Sequence, residues 1–304
     1  MLIAYDQVLS RTACHFLHTS LSIGGLGDEH HTAFDRSLPA RTPAERAIHS
    51  LLCELGDESP CVEYWWRDEW QHIEAHTDID EFLFEEEGIW RFPTNAHVLY
   101  LAVGKAVRGP TCVWERQPCS QGRDDFGPIT TVPARAGRLL RFEGNRMHAV
   151  PRPAEAWLEE STNTAGPQSD APVDMVRSVI LFNTWPSPPR DVKAAPSSDP
   201  IEKIKQLAAD FGGKAIEDLV EAMSDPHDTC LPFEQWQPLA PKRIPEKGAS
   251  SSSTRATEAD EVRYSVPLLG EQERRQQEEQ QVDLVAPQGL KEALTSTDVI
   301  TSFV

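Results

Sequence analysis

The chain has 304 residues, a formal net charge of −19 and 39% hydrophobic residues. The length exceeds that of a typical single domain, so we expect one sizeable globular domain with extensions. The sequence offers no basic face for the phosphates of nucleic acid, so nucleic-acid binding is not expected, and the charge favours neutral or cationic substrates.

The six cysteines include no CxxC pair, which suits reduced thiols in an intracellular compartment. No hydrophobic run approaches the length that spans a membrane, so no membrane contact is expected. The first ten residues lack the basic and apolar blocks of a secretory signal. We therefore expect a cytoplasmic location, although the acid-free residues 7–27 leave organellar targeting open.

Residues 1–60 are predicted to form an N-terminal extension of helix and loop. The histidines and acids at 28–31 have no defined metal-ligand spacing and indicate a solvated loop. A helix is predicted to begin at Thr42 as N-cap, with Pro43 in the first helical position and Glu45 completing a capping box. Apolar residues then follow at helical spacing, so this helix should pack against a sheet.

From Cys61 the pattern changes to short strands separated by Gly, Pro, Asn and charged turns, and it continues to Trp185. This spacing is typical of a jelly roll, so we predict a mainly β core with flanking helices and place its domain at 61–190. The polar stretch 153–174 is predicted to be an insertion between the last two strands.

The remainder of the chain divides into two predicted segments. Residues 191–245 form a proline-rich linker and two amphipathic helices, the first opening at Asp199 and Pro200. Residues 246–304 are of low complexity, and we predict disorder there. This tail is a candidate for binding protein partners.

The candidate site begins with His76 and Asp78, which lie two residues apart ahead of the β-rich region. On an extended strand such residues face the same side and can share one divalent metal. His148 follows a turn at Gly144 and Asn145 and stands at the start of a strand, so it is the candidate third ligand. Two histidines and one carboxylate leave open positions on the metal.

Arg177 lies on a later strand whose alternation places it with Val179, Leu181 and Asn183 on one face. An arginine that projects from a mostly apolar wall needs an anion. Its planar guanidinium suits a carboxylate, which can accept two parallel hydrogen bonds.

These residues, in the order HxD, distal His and Arg, resemble the iron(II)- and 2-oxoglutarate-dependent dioxygenases, most closely their prolyl 4-hydroxylase-like branch. The resemblance covers about Cys61 to Trp185. It implies a double-stranded β-helix of the cupin-like type, with iron held by His76, Asp78 and His148 and 2-oxoglutarate bound by Arg177. That branch often has lysine at the arginine position, so no substrate class follows from the resemblance.

The resemblance also implies the reaction and its participants. Iron(II), 2-oxoglutarate and O2 are expected, with ascorbate as a further candidate, and the products would be succinate, CO2 and a hydroxylated protein side chain (prolyl among the candidates) or small molecule. Tyr64 and Tyr100 are candidates for a hydroxyl bond to 2-oxoglutarate. Three tryptophans are candidates for the pocket wall: Trp66, Trp70 and Trp185.

Three alternatives are weighed against this hypothesis. The jelly roll could be a catalytically silent binding module, or a metal-dependent cupin-type enzyme that does not use 2-oxoglutarate and binds its substrate through Arg177. A zinc protease is disfavoured, because its helix requires glutamate directly after the first histidine, and Ile73 follows His72 here.

Overall fold

The computed structural model describes residues 1–24, 31–71, 73–104, 109–115, 127–150, 176–194, 230–243, 261–267, 281–287 and 298–302. The predicted insertion at 153–174, the two predicted helices after Asp199 and most of the predicted disordered tail lie outside these residues, as does His72. Within the described residues there is no helix of the length and apolar character needed to cross a membrane.

The described chain contains three α-helices among many short strands. The helices are α1 (Arg11–Gly24), α2 (Pro43–Glu54) and α3 (Glu81–Glu87). The strands are β1 (Ile3–Asp6), β2 (Thr32–Asp35), β3 (Cys61–Glu69), β4 (Ile73–His76), β5 (Asn95–Val103), β6 (Thr111–Trp114), β7 (Ile129–Val132), β8 (Leu139–Glu143), β9 (His148–Val150), β10 (Val176–Trp185), β11 (Lys193–Ala194), β12 (Gln237–Leu239), β13 (Lys242–Arg243), β14 (Glu261–Pro267), β15 (Gln281–Pro287) and β16 (Ile300–Ser302).

Two sheets form the core. Among the described strands, eight form a major sheet in the order β11-β2-β3-β10-β5-β8-β1-β12, and six form a minor sheet in the order β13-β16-β7-β6-β9-β4. β14 and β15 pair with each other. A buried apolar cluster contains side chains of both sheets, including Val98 and Leu140 from the major sheet and Val113 and Val132 from the minor sheet. The predicted jelly-roll, double-stranded β-helix core is therefore confirmed.

The helices α1 and α2 cover the outer face of the major sheet. Ile48 and Leu52 of α2 and Leu17 of α1 are fully buried in one cluster with Val62 of β3. The start of α2 is as predicted, since the Thr42 hydroxyl accepts from the Glu45 backbone N–H at 3.1 Å. The predicted packing of this helix against a sheet is therefore confirmed.

Segments outside the predicted domain also join the sheets. Two strands of the predicted N-terminal extension, β1 and β2, pair with β8 and β3 of the major sheet. The predicted linker supplies β12, which pairs with β1, and β13, which pairs with β16. Within the tail that was predicted to be disordered, β16 pairs with β7, and Ile300 is fully buried. Strands from outside the predicted 61–190 domain therefore take part in both sheets.

Candidate metal centre

The three predicted ligands come from adjacent parts of the minor sheet. His76 is the last residue of β4 and His148 the first of β9, and the two are paired across the antiparallel strands. Asp78 follows β4 in the short connection to α3. The turn before β9 requires Gly144, because a Cβ atom there would lie 2.3 Å from the Pro93 carbonyl oxygen. The fold therefore brings together three residues that are far apart in sequence.

The ligand atoms of His76, Asp78 and His148 all lie within 4.8 Å of one another. Nε2 of His76 is 3.6 Å and Nε2 of His148 is 3.8 Å from Oδ1 of Asp78. The side chains are 25%, 8% and 13% exposed for His76, His148 and Asp78, so the group is recessed and opens most towards His76. Such a cluster can surround one ion.

Both imidazole rings are held by backbone carbonyls. Nδ1 of His76 lies 2.7 Å from the Glu74 carbonyl oxygen, and Nδ1 of His148 lies 3.2 Å from the Arg146 carbonyl oxygen. A carbonyl only accepts, so each Nδ1 carries the proton and each Nε2 is left with its lone pair. Fixing the other ring nitrogen in this way orients a histidine for metal binding.

The charge states of His148 and Asp78 also suit a cation. Burial and the neighbouring His76 lower the pKa of His148 to about 4, so this ring is neutral at neutral pH. Burial alone would raise the pKa of the Asp78 carboxyl, but His148, His76 and a hydrogen bond from Asn183 outweigh it and hold the pKa below its usual range. The pKa of His76 is raised, because Asp78 and the Glu74 carbonyl outweigh the opposing effect of burial.

Asn183 is a site residue whose role the sequence analysis missed. It lies on β10 of the major sheet and is 2% exposed, and its side-chain amide is one of the groups that lower the pKa of the Asp78 carboxyl. Its place on the Arg177 face of the strand was visible from the alternation. Its contact with Asp78 was not, because that contact depends on how the two sheets face each other.

Arg177 lies inside the jelly roll, as the alternation predicted. Its Nε donates to the Gly109 carbonyl at 2.6 Å, its Nη2 donates to the Thr111 hydroxyl at 3.0 Å, and its guanidinium carbon lies 5.2 Å from the centre of the Tyr100 ring. The neighbouring Ser178 points the other way and bonds to His18 of α1. The partners that the structure shows for Arg177 are therefore neutral, although the side chain is buried.

The two candidate tyrosines lie on opposite faces of the major sheet. Tyr100 faces inwards beside Arg177, and its hydroxyl is 2.7 Å from that of Thr111. Tyr64 faces outwards, where it packs in the helix-covered cluster and lies 3.4 Å from the Thr42 hydroxyl of the α2 cap. The prediction that Tyr64 contacts a cosubstrate is therefore corrected, since the sheet separates it from Arg177.

The candidate tryptophans are also divided. Trp66 is on the helix side, because its Nε1 donates to Ser178 and its ring lies in the outer cluster. Trp185 donates instead to Glu63 at 3.1 Å, and Trp70 is buried. Only the prediction for Trp66 is corrected.

A second polar group, also missed from the sequence, lies near the triad. Nδ1 of His31 is 2.7 Å from a Glu63 carboxylate oxygen, and the His31 ring stacks on Trp65 at 4.5 Å with an interplanar angle of 3°. The charge of Asp78 is among the influences that raise the pKa of His31, after those of Glu63 and Glu81.

The donor set fits a divalent transition metal. Two imidazole nitrogens and one carboxylate oxygen form the two-histidine, one-carboxylate set that leaves coordination positions for further ligands. The buried Arg177 on the facing wall fits an organic anion. The described residues therefore offer a metal-binding triad at the minor sheet and an anion-binding arginine that reaches this sheet through Thr111.

Comparison of the sequence with protein-family models and with curated proteins finds no match. Similar solved structures include a prolyl-4-hydroxylase from Pseudomonas putida, at 12% identity and a TM-score of 0.37 over 62% of this chain and 88% of that one. HygX from Streptomyces hygroscopicus, with nickel and 2-oxoglutarate bound, has 12% identity and a TM-score of 0.36 over 61% and 83%. A viral collagen prolyl hydroxylase from Paramecium Bursaria Chlorella virus-1 has 13% identity and a TM-score of 0.34 over 60% and 87%.

Proposed function

We propose that the chain is an iron(II)- and 2-oxoglutarate-dependent dioxygenase that hydroxylates a C–H bond and releases succinate and CO2. One observation carries the proposal: the triad of His76, Asp78 and His148 stands at the minor sheet, and the buried Arg177, whose shown partners are neutral, reaches from the major sheet to Thr111 of that minor sheet. A metal alone would explain the triad, and a carboxylate alone would explain the arginine. The combination favours a reaction that needs both.

The triad would hold the metal, which, when bound, supplies the oxygen-activating redox chemistry of the reaction. Arg177 would bind the distal carboxylate of 2-oxoglutarate through its guanidinium, with Thr111 and Tyr100 orienting that group. On β6, Val113 is the cross-strand partner of His148. The strand rise of about 3.3 Å per residue puts Thr111 about 7 Å from Val113, which suits a short dicarboxylate between the arginine and the ligands.

The remaining residues of the cavity would exclude water from the reacting groups. Val179 and Leu181 lie between Arg177 and Asn183 on the inner face of β10 and belong to the apolar cluster between the sheets. A dry cavity strengthens the pairing of Arg177 with a carboxylate and protects reactive species from side reactions.

The experiment measures three quantities with the full chain under anaerobic conditions: iron(II) affinity, 2-oxoglutarate affinity in the presence of iron, and succinate formed after O2 is admitted. Asp78→Ala should abolish iron binding, because it removes the only carboxylate of the triad. Arg177→Gln should leave iron binding intact and weaken 2-oxoglutarate at least about tenfold, since a charge-assisted bidentate pair is lost. The matched controls are His15→Ala and Arg243→Gln, at exposed positions.

The outcomes separate the alternatives. Iron binding without affinity for 2-oxoglutarate would leave a metal-dependent cupin-type enzyme in which Arg177 binds the substrate. Absence of metal binding would leave a catalytically silent binding module. Conversion of 2-oxoglutarate to succinate is slow when the substrate is absent. Where little succinate forms, the affinities for iron(II) and for 2-oxoglutarate therefore decide the result.

A further inference from the structure

An exposed aromatic patch lies on and just after α3, the helix that begins three residues after Asp78. Phe82, Ile89 and Trp90 are 38%, 48% and 53% exposed, and they account for half of the large hydrophobic side chains that the described residues expose. Trp90 is flanked by Phe84 and Phe92, at ring-centre distances of 4.6 and 6.1 Å. We call these five residues the aromatic patch. Exposed aromatic side chains that pack together, as Trp90 does with Phe84 and Phe92, mark an interaction site more often than scattered residues do.

The patch is fixed to the segment that carries Asp78. The helix α3 begins three residues after Asp78, with Asp80 as its N-cap. The chain beyond α3 then folds back, because the Asp80 backbone N–H donates to the Arg91 carbonyl at 2.9 Å and the Arg91 guanidinium donates to the Asp80 carboxylate at 3.0 Å. Trp90, which precedes Arg91, therefore belongs to the chain segment that is bonded to Asp80, two residues after Asp78.

The surface around the patch is acidic. Glu81, Glu85, Glu86 and Glu87 are all exposed along α3. Arg190 pairs with Glu87 at 2.5 Å and lies 3.7 Å from Glu86, while Arg91 is already occupied by the Asp80 carboxylate. The acids therefore outnumber the cations that neutralise them. A cationic partner could pair with the free carboxylates and place a guanidinium or ammonium group over the exposed Trp90 ring.

The dimensions favour an extended partner over a small molecule. The seven residues of α3 span about 10 Å at 1.5 Å per residue. A ligand that contacts the glutamates along this helix and Trp90, and that also reaches the triad, must be at least this long. A polypeptide in extended conformation satisfies this requirement with a few residues.

We propose that the aromatic patch and the glutamates of α3 dock a lysine- and arginine-rich segment of a polypeptide, which presents a neighbouring side chain to the metal centre. The substrate of the proposed dioxygenase is then a basic protein, not a small metabolite. The identity of the substrate class rests on the proposed function, whereas the docking of a basic segment does not.

The test is fluorescence anisotropy on the full chain with a fluorescein-labelled peptide that alternates arginine and alanine. We expect saturable binding that weakens with added salt, and no binding of the matched peptide that alternates glutamate and alanine. Trp90→Ala should weaken the arginine peptide about tenfold through loss of the cation–π and apolar contacts. The double variant Glu85→Gln/Glu86→Gln should weaken it further at low salt, while Leu38→Ala, at an exposed apolar residue outside the patch, should not change it.

Three outcomes would overturn the docking proposal: no binding of the arginine peptide, equal binding by Trp90→Ala and the unmodified chain, or a concentration-dependent self-association that Trp90→Ala abolishes. Displacement of the peptide by spermine at equal charge concentration would overturn the choice of a polypeptide.

Asp78→Ala should bind the arginine peptide normally. If the unmodified chain binds the peptide but no iron, only the dioxygenase is overturned. If the unmodified chain binds iron and 2-oxoglutarate but no peptide, only the docking surface is overturned.

Discussion

Asn183 connects the two walls of the candidate site, since it stands on the major sheet and interacts with the candidate ligand Asp78, which follows β4 of the minor sheet. Two of the ligands have backbone carbonyls as their fixed partners, whereas Asp78 depends on a side chain. The orientation of Asp78 is therefore the part of the site that one substitution can loosen without touching a ligand.

We predict that Asn183→Leu weakens iron(II) binding about 10- to 100-fold, because residues that orient metal ligands contribute on this scale. Anaerobic titration with iron(II) measures the effect. The matched control is Asn95→Leu, which removes a hydrogen bond to the Asp57 carboxylate in another part of the same sheet. Equal iron affinities of the two variants would contradict the assigned role of Asn183.

His31 provides a prediction on pH. Burial alone would lower the pKa of His31, but the hydrogen bond and charge of Glu63 outweigh it and raise the pKa above the usual 6.5. A raised pKa in the folded state means that His31 stabilises the fold fully below the ordinary histidine pKa and loses this contribution as pH rises through the raised value.

NMR titration of the imidazole signals should therefore show His31 titrating above 6.5 and Glu63→Gln shifting its pKa downwards. His49 serves as an internal reference in the same spectra, because burial and then Arg36 lower its pKa. A pKa of His31 that does not respond to Glu63→Gln would show that the pair is not formed in solution.

The elements that could be predicted from sequence are those whose pattern is local. α2 carries its own cap and apolar stripe, and β3, β5 and β10 are nine or ten residues long, so their β character is evident without knowledge of their partners. The elements missed are short and stabilised from a distance. β1 has four residues, and its Asp6 pairs with the buried Arg138 at 2.7 Å, a contact that no local pattern indicates.

The residues of the candidate site also divide into those that the sequence indicates and those that depend on the folded chain. His76, Asp78, His148 and Arg177 could be chosen because their residue types and order indicate one kind of chemistry. Tyr64 was wrongly included because the sequence does not say which face of β3 points towards the second sheet. That choice is made by the packing of α1 and α2 on one face, which becomes visible only in the folded chain.

The burial of β16 leads to a prediction about the stability of the fold. Ile300 is fully buried between β7 and β13, so Ile300→Ala should destabilise the fold by about 2–5 kcal/mol through lost apolar burial and the cavity left behind. Urea unfolding measures the change. The neighbouring Thr301→Ala, which removes a hydroxyl contact to Thr130 at a half-buried position, should cost less. An unchanged urea midpoint for Ile300→Ala would mean that β16 is not part of the stable sheet.

For the whole molecule, metal binding and stability should be linked. A ligand that binds only the folded chain stabilises it by about 2.7 kcal/mol at a concentration one hundred times its dissociation constant. Anaerobic iron(II) should therefore raise the unfolding temperature, 2-oxoglutarate should raise it further when iron is present, and a chelator should reverse both. Asp78→Ala should remove the response and His15→Ala should keep it. A response that survives Asp78→Ala would place the metal elsewhere.

The pairing of β16 with β7 and of β12 with β1 has a consequence for how the protein is made. All the ligands and Arg177 leave the ribosome long before Gln237–Leu239 and Ile300–Ser302 are synthesised. During that interval β1 and β7 each present an unpaired edge, and open sheet edges are templates for association with other chains. The nascent protein is therefore most vulnerable to aggregation after the residues of its candidate site are complete, and slow synthesis or low chaperone capacity should reduce its yield more than substitutions in the candidate site do.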